Sequence, residues 1–392
     1  MSNDLTSIAA VENEEPLVQA KEKVRVLIVG PASPSTGGIP SYIDELLASG
    51  LNNKYEFNLL DPLIVKRRTG KQESHLSSEE IIASLRVLWT FVKSVRALNP
   101  SLIHIHTSSF WGFYEKAIML FIAQKIFGKK VILHIHGGQF DLFYRRSRCR
   151  KLIDKIIRWA DKALIVSKQF KEVIDKDCLV HVDNSVRFRK EWRPVEKETL
   201  RKKYGIDPHK TLFLSLAILE KRKGIYETLE VFRRISARRD DFVYIIAGEG
   251  QEKERLEKFI EDNGLIDSIK MFDFVSGPKK EELFLLSDIF ILNSSGESFG
   301  VSLIEAVSYG LFVITTPVGV ASDAEDVFND GNCIRVGTGD AKGLEKAILS
   351  VLDRKVNIDE VAVRNFYDFR KRFDAVPVFE KMRLIYDEVI SA

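Results

Sequence analysis

The stretch from Val24 to Gly38 reads V-R-V-L-I-V-G-P-A-S-P-S-T-G-G. Apart from Arg25, its first seven residues are apolar and largely β-branched with no alternation, the pattern of a strand buried on both faces. Residues 31–38 form a Gly/Ser/Pro loop, and an amphipathic helix is expected from about Ile39 to Leu51. Strand, glycine loop and helix in that order open a parallel α/β sheet, whose ligands sit beyond the carboxyl ends of the strands.

The same alternation continues outward. Ser77 and Glu80 form a capping box before a helix ending near Leu98, which Pro100 stops. Residues 102–106, 131–136 and 163–167 read as further strands. The pattern breaks over the polar, non-periodic residues 182–194, where the hinge is placed. It resumes with strands at 211–217, 242–247, 269–274, 289–292 and 312–315. The expected fold class is therefore α/β: two Rossmann-like β/α/β domains facing across a cleft. Boundaries follow as a tail at 1–20, a first domain at 21–185, a second at 195–375, and a last helix at 376–392 packing back on the first.

Bulk composition agrees with two ordinary cores. The 392 residues are 45% hydrophobic and 29% charged, which excludes a disordered or fibrous chain. Cys149, Cys178 and Cys333 are few, odd in number and without metal-ligand spacing, as in a reducing cytoplasmic compartment. No apolar run reaches the roughly 18–20 residues that span a bilayer. Residues 1–20 carry four acids and no Lys or Arg, so they read as a disordered tail and not as a signal. The net charge of +3 hides an asymmetry: residues 21–190 hold 29 Lys+Arg against 16 Asp+Glu, while residues 191–392 hold 30 against 36. A basic first half suits an anionic surface or ligand, although a merely solvated basic face gives the same count.

The densest chemistry lies in Asn293 to Glu305, N-S-S-G-E-S-F-G-V-S-L-I-E. Glu297 falls in the loop after a strand, and Phe299-Gly300-Val301 opens a helix that carries Glu305 in its first turns. A helix N-terminus offers free N–H groups and a positive dipole end to a phosphate, and Gly300 has no side chain to block it. Glu305 and Glu297 are placed to accept hydrogen bonds from hydroxyls on either side. Two surface glutamates eight apart on a capped helix give the same spacing.

Followed by S-Y-G-L-F-V-I-T-T-P-V-G, this segment resembles the E-x7-E signature of retaining glycosyltransferase family 4, the group 1 glycosyl transferases of GT-B fold. The similarity runs from about Val24 onward and includes Ala247-Gly248-Glu249-Gly250. It implies transfer of a hexose-type sugar from a nucleoside-diphosphate sugar to a hydroxyl acceptor, with no metal and no separate cofactor. The first domain would take the acceptor and the second the nucleotide-sugar. The catalytic residues it implies are Lys223, which neutralises the leaving phosphate, Glu297, on donor-sugar hydroxyls, and His136, on the donor sugar. Donor binding would fall to Gly37, Gly38, Gly248, Glu249, the Phe299-Gly300-Val301 amides, and Glu305 on the ribose. The resemblance departs at Ala217-Ile218, where the family carries glycine and arginine; Lys221 or Arg222 is the candidate substitute. A nucleotide-sugar epimerase and a non-catalytic nucleotide-sugar-binding scaffold are the alternatives.

Four of the seven histidines fall in two H-x-H pairs, His104/His106 and His134/His136. One pair on a strand face is a zinc half-site, but no third ligand is evident, so His104 and His134 are expected in the core. The D-x-D triplet Asp175-Lys176-Asp177 lacks a glycine loop and reads as a solvated helix end. Absence of a full G-x-G-x-x-G argues against a dinucleotide cofactor. The basic run from Arg145 to Arg158, with Lys66-Arg67-Arg68, suggests peripheral contact with an anionic membrane on its cytoplasmic face, where a lipid-linked acceptor would lie. No aromatic interleaving points to nucleic acid.

Overall fold

The computed structural model describes residues 23–35, 37–66, 78–137, 140–172, 174, 179–188, 197–329 and 331–392. Ser77 of the capping box, Arg67 and Arg68, Gly138, the D-x-D triplet and the tail at 1–20 lie outside these residues.

Among the described residues, twelve strands form two sheets. The first contains β1 (Val24–Val29), β2 (Tyr55–Leu60), β3 (Leu102–Thr107), β4 (Lys130–Ile135), β5 (Lys162–Ile165) and β6 (Leu179–His181), in the order β2-β1-β3-β4-β5-β6. The second contains β7 (Thr211–Leu216), β8 (Phe242–Ala247), β9 (Ile269–Phe272), β10 (Ile289–Leu292), β11 (Phe312–Thr315) and β12 (Ile334–Arg335), in the order β12-β11-β10-β7-β8-β9. Every pairing is parallel. Helices cover both faces of each sheet, which is why β3, β8, β10 and β11 are buried at every position and read as unbroken apolar runs.

Three strands escaped the sequence reading. β2 alternates between buried Tyr55 and exposed Glu56 and leaves Leu59 exposed, as an edge strand does. β6 and β12 are edge strands of three and two residues, too short for any period. The first helix spans Gly38–Leu47 instead of reaching Leu51. The Ser49 side chain accepts from Leu51 N and starts a separate 3-10 turn, Gly50–Asn53, an instance of serine competing with helical hydrogen bonding.

The chain passes between the sheets twice. After β6 it runs through Val186 and Phe188, which are buried in the core of the second sheet. It returns where the helix Ile358–Phe373, packed on the second sheet, gives way to the helix Ala375–Ser391. The two crossings are stitched together by a parallel bridge between Val186 and Asp374 and by Val186 N–H donating to Phe373 O at 2.9 Å. The last helix then lays Val378, Phe379, Met382, Ile385, Tyr386 and Val389 on the face of the first sheet formed by Val26, Ile28, Leu102, Ile132 and Leu164. Lys54 and Lys162 pair with Asp387 and Glu388 at its far end.

Each apolar side chain fully buried in this way stabilises by about 1.5–3 kcal/mol. Met382→Ala, at a side chain with no exposure, is expected to cost about 2–5 kcal/mol. Urea unfolding followed by tryptophan fluorescence should show an earlier transition. An unchanged midpoint would mean that the last helix does not belong to the first core.

Candidate active site in the cleft

β7 and β10 are neighbours, and beyond their carboxyl ends two segments lie against each other. After β7 the chain makes the 3-10 turn Lys221–Lys223 and reverses at Gly224, with φ 64°, into the helix Ile225–Ser236. A Cβ on Gly224 would strike the carbonyl oxygen of Asn293, so glycine is what lets the turn rest on the loop after β10. Ser295 N donates to Arg222 O at 2.8 Å, Ser294 Oγ to Arg222 O at 3.1 Å, and Asn293 Nδ2 to Thr228 Oγ1 at 3.2 Å.

This zip brings Lys223 Nζ to 2.5 Å from Glu297 Oε1, with side chains only 11% and 9% exposed. Arg222 Nη1 donates to Gly296 O at 2.7 Å and lies 3.7 Å from Glu297 Oε2. One carboxylate therefore faces two cations in a poorly solvated corner. Removing either partner of such a pair leaves an uncompensated charge.

The loop ends at Gly300, in the left-handed region with φ 91°, which begins the helix Val301–Ser308 with no side chain capping it. Leu303 N donates to Gly300 O at 3.0 Å, and no side-chain cap takes up the N–H groups ahead of it. Gly319, after β11, buttresses the loop: Val320 N donates to Phe299 O at 2.7 Å, and a Cβ on Gly319 would come within 2.6 Å of the same oxygen. The Phe299 ring is buried against Phe373, so only its main chain is available to the cleft. Glu305, within the helix, accepts from Lys280 Nζ at 2.6 Å.

The first sheet supplies the opposite wall. Gly37 (φ 128°) precedes the helix Gly38–Leu47, whose N-terminus is also uncapped by any side chain among the described residues. A Cβ built on Gly38 would lie 3.7 Å from Val301 Cγ2, so two open helix N-termini from different sheets meet. Beside them, Lys168 N and Nζ donate to Asp323 Oδ2 and O at 2.7 and 2.9 Å, joining the walls.

Gly248 and Gly250 let the loop after β8 cross close over the 217–219 segment, where Leu219 N donates to Glu249 O at 2.8 Å. The Glu249 carboxylate is half exposed and pairs with Lys253 at 2.9 Å. Ile218, at the position of the missing arginine, is 47% exposed.

His136 sits at the end of β4, buried, and touches His106 of β3. The expectation that no third histidine joins an H-x-H pair needs correction. β3 and β4 pair in register with His106 opposite His134, so His104, His106 and His134 bring ring nitrogens within 4.8 Å of one another. Within that trio His104 Nε2 and His134 Nδ1 share a hydrogen bond of 3.3 Å, while His106 pairs with His136 at 2.9 Å.

Of the residues that the sequence singles out, the fold pairs Lys223 with Glu297 and sets Gly38 beside Val301, the first residue of the helix that carries Glu305. Sequence reasoning missed the pairing of Lys280 with Glu305, which nothing marks among the other surface lysines. It also missed Gly319, which a glycine after a strand and Pro-Val would have suggested. Two cationic side chains and two helix N-termini suit a diphosphate, and the carboxylates suit hydroxyls.

Parallel β/α sheets facing across such a gap define the GT-B class of fold. Residues 196–367 match the family model described as glycosyl transferases group 1. Over 359 residues the chain is 24% identical to the O-antigen biosynthesis glycosyltransferase WclY of Escherichia coli, covering 83% of this chain and 93% of that one. It is 23% identical to the N-acetyl-alpha-D-glucosaminyl L-malate synthase of Bacillus anthracis, covering 74% and 76%. Among solved structures, the fold matches sucrose-phosphate synthase from Thermosynechococcus elongatus with a TM-score of 0.76 at 14% identity, covering 94% of this chain and all of that one. It also matches Anabaena HepE in complex with UDP and glucose, with a TM-score of 0.71 at 16% identity, covering 93% and 100%.

Gly224→Ala places a Cβ against the Asn293 carbonyl and is expected to cost more than the roughly 1–2 kcal/mol of left-handed strain alone. Gly205→Ala is the control, because Gly205 shares the backbone region (φ 62°) and has open space around it. Thermal unfolding of the two variants should separate them, and equal losses would show that the Lys221–Gly224 turn does not depend on contact with the loop after β10.

Proposed function

We propose that the protein moves a sugar from a nucleoside-diphosphate sugar to a hydroxyl acceptor with retention of anomeric configuration and without a metal, in the synthesis of a surface polysaccharide, lipopolysaccharide or glycolipid. The observation that carries this reading is the packing of Lys223 and Glu297 beside the uncapped helix N-terminus at Gly300. The relative named for O-antigen biosynthesis and the neighbour solved with UDP and glucose support it.

In this reading the diphosphate lies between the amides of Phe299, Gly300 and Val301 and those of Gly37 and Gly38, with Lys223 against the departing phosphate. Arg222, on the same turn, stands in for the arginine that Ile218 replaces. Glu297 and His136 hold sugar hydroxyls, Glu305 exchanges Lys280 for the ribose, and Gly248 and Glu249 line the nucleotide side. The anomeric C–O bond breaks with its electron pair passing to the diphosphate oxygen. The acceptor oxygen then bonds to the same face of the sugar, and its proton goes to the departing phosphate. Preformed cations and amides stabilise the charge as it develops, and loss of one such group costs roughly 10²–10³ in turnover.

Purified protein mixed with UDP-, GDP- and ADP-sugars and a membrane extract should release nucleoside diphosphate from one donor. Lys223→Ala should lower turnover by about that factor and Glu305→Ala should weaken donor binding. Proton NMR of the product anomer tests retention, and an inverted anomer would end that part of the reading. Conversion of the donor sugar with no acceptor present would indicate the epimerase. Donor binding without any turnover would indicate the scaffold.

The acceptor is proposed to be reached at an anionic membrane surface. The helix Ser78–Leu98 exposes Ile81, Ile82, Leu85 and Trp89 along one side. Arg145, Arg148 and Lys151 are exposed in the same helical layer, and no helix among the described residues is long and apolar enough to cross a membrane. Cosedimentation with vesicles should be strong for anionic and weak for zwitterionic lipid, and Trp89→Glu should reduce it. Equal binding to both vesicle types would defeat the electrostatic part.

A further inference from the structure

The turn Val320–Asp323 touches both halves of the molecule. The first sheet holds its far end. Beyond β5, Val166 is buried in the core of the second sheet, and the two residues after it grip Asp323. Lys168 N and Nζ donate to Asp323 Oδ2 and O at 2.7 and 2.9 Å, and Ser167, 1% exposed, hydrogen-bonds the same carboxylate. Burial pushes the Asp323 carboxyl up, and the bonds from Ser167 and Lys168 oppose that shift. Within the turn, Asp323 N donates to Gly319 O at 3.0 Å and Ala324 N to Val320 O at 2.9 Å. Val320, Ala321 and Ala324 are buried with the second sheet.

The near end holds the loop after β10, where Val320 N donates to Phe299 O at 2.7 Å. In a trans peptide the carbonyl and the following N–H point in opposite directions. The bond to Phe299 O therefore fixes the Gly300 N–H as well: it is turned away from Val320 and donates to no group among the described residues. Gly300 itself does not settle that direction. Turning the peptide over would carry Gly300 from φ 91° into the negative range, which glycine adopts as readily. The choice falls to the neighbour that binds the carbonyl. Gly319 makes that approach possible, since a Cβ there would lie 2.6 Å from Phe299 O and 3.0 Å from Glu297 Cβ.

We infer that Val320 and Asp323 are positioning residues: the Val320 N–H sets the Phe299–Gly300 peptide so that the Gly300 N–H is left for an anion, and the grip of Ser167 and Lys168 on Asp323 keeps Val320 in place. The first half of the molecule thus orients an amide of the second through one four-residue turn. The inference deepens the proposed use of the Gly300 amide and rests on that reading for the diphosphate. The hold on the Val320 amide is a property of the free protein.

Val320 is the first residue of its turn, the helical position that tolerates proline. Val320→Pro removes the N–H, and Val320→Ala, which keeps it, is the reference for lost side-chain volume. UDP, GDP and ADP are titrated in turn into the full chain by calorimetry. With the one that binds, Val320→Pro should bind roughly tenfold to a hundredfold more weakly than Val320→Ala. Asp323→Ala should weaken binding about threefold to tenfold and speed hydrogen exchange of the Val320 amide, which Asp323 does not itself bond. Asp323→Asn keeps an acceptor for Lys168 N and should restore both. Equal binding by Val320→Pro and Val320→Ala would overturn the inference, as would unchanged exchange of the Val320 amide in Asp323→Ala. Should Val320→Pro fail to fold, the two Asp323 variants decide. If none of the three nucleotides binds the unsubstituted protein, the transferase reading falls, and amide exchange alone decides the positioning.

Discussion

Two parallel sheets can serve one ligand only if the carboxyl ends of their strands are held face to face, and here the two chain crossings are tied together at a seam. The Val186 N–H bond to Phe373 O and the bridge beside it tie the outward crossing to the return crossing. On either side of the seam the fastening is hydrophobic. Phe366, Phe369 and Phe373 are buried with the second sheet, and Phe379, Met382 and Tyr386 with the first. The approach of Gly38 to Val301 and the latch of Lys168 on Asp323 require the placement that this seam provides. The seam belongs to no part of the candidate site, yet the site has two walls because of it.

Much of the fold was legible because the decisive strands are buried on both faces. An unbroken run such as Phe242–Ala247 admits few readings, and the structure ends that strand at the same residues. Legibility fell at the sheet edges. Tyr55–Leu60 mixes exposed and buried positions, and Leu179–His181 is too short to carry a pattern. The site divides in the same way. Glycines that open helices and carboxylates that follow strands leave a local trace, so Gly300, Glu297 and Glu305 could be picked out by position. A lysine that reaches across from another helix leaves none: Lys280 looks like any solvated lysine until the fold sets it against Glu305. The histidine layer was half visible. Alternation showed that each pair shares a face, but only the in-register pairing of β3 with β4 brings the pairs together.

Glycine does two kinds of work in the cleft. At Gly300 it leaves a helix N-terminus unobstructed, and at Gly224, Gly248 and Gly319 it lets one loop rest on the backbone of another. The second kind gives the site its rigidity. Arg222 and Lys223 belong to a three-residue turn that would have little structure alone, and the loop after β10 holds that turn by main-chain and serine hydrogen bonds. Charged groups fixed in advance need not reorganise when charge develops near them, which is where preorganised electrostatics is most effective.

The pairing of Glu297 with Lys223 and of Glu305 with Lys280 has a consequence for how the cleft is filled. Neither carboxylate stands bare, so an arriving anion that carries its own hydroxyls does not enter a field of one sign. In the proposed reading it would trade places with groups already present: its phosphates would take over lysine from glutamate, and its hydroxyls would take over glutamate from lysine. Such a metathesis changes the local charge little at each stage. It therefore favours a ligand that presents both halves of the exchange over inorganic phosphate or a neutral sugar, which could complete only one.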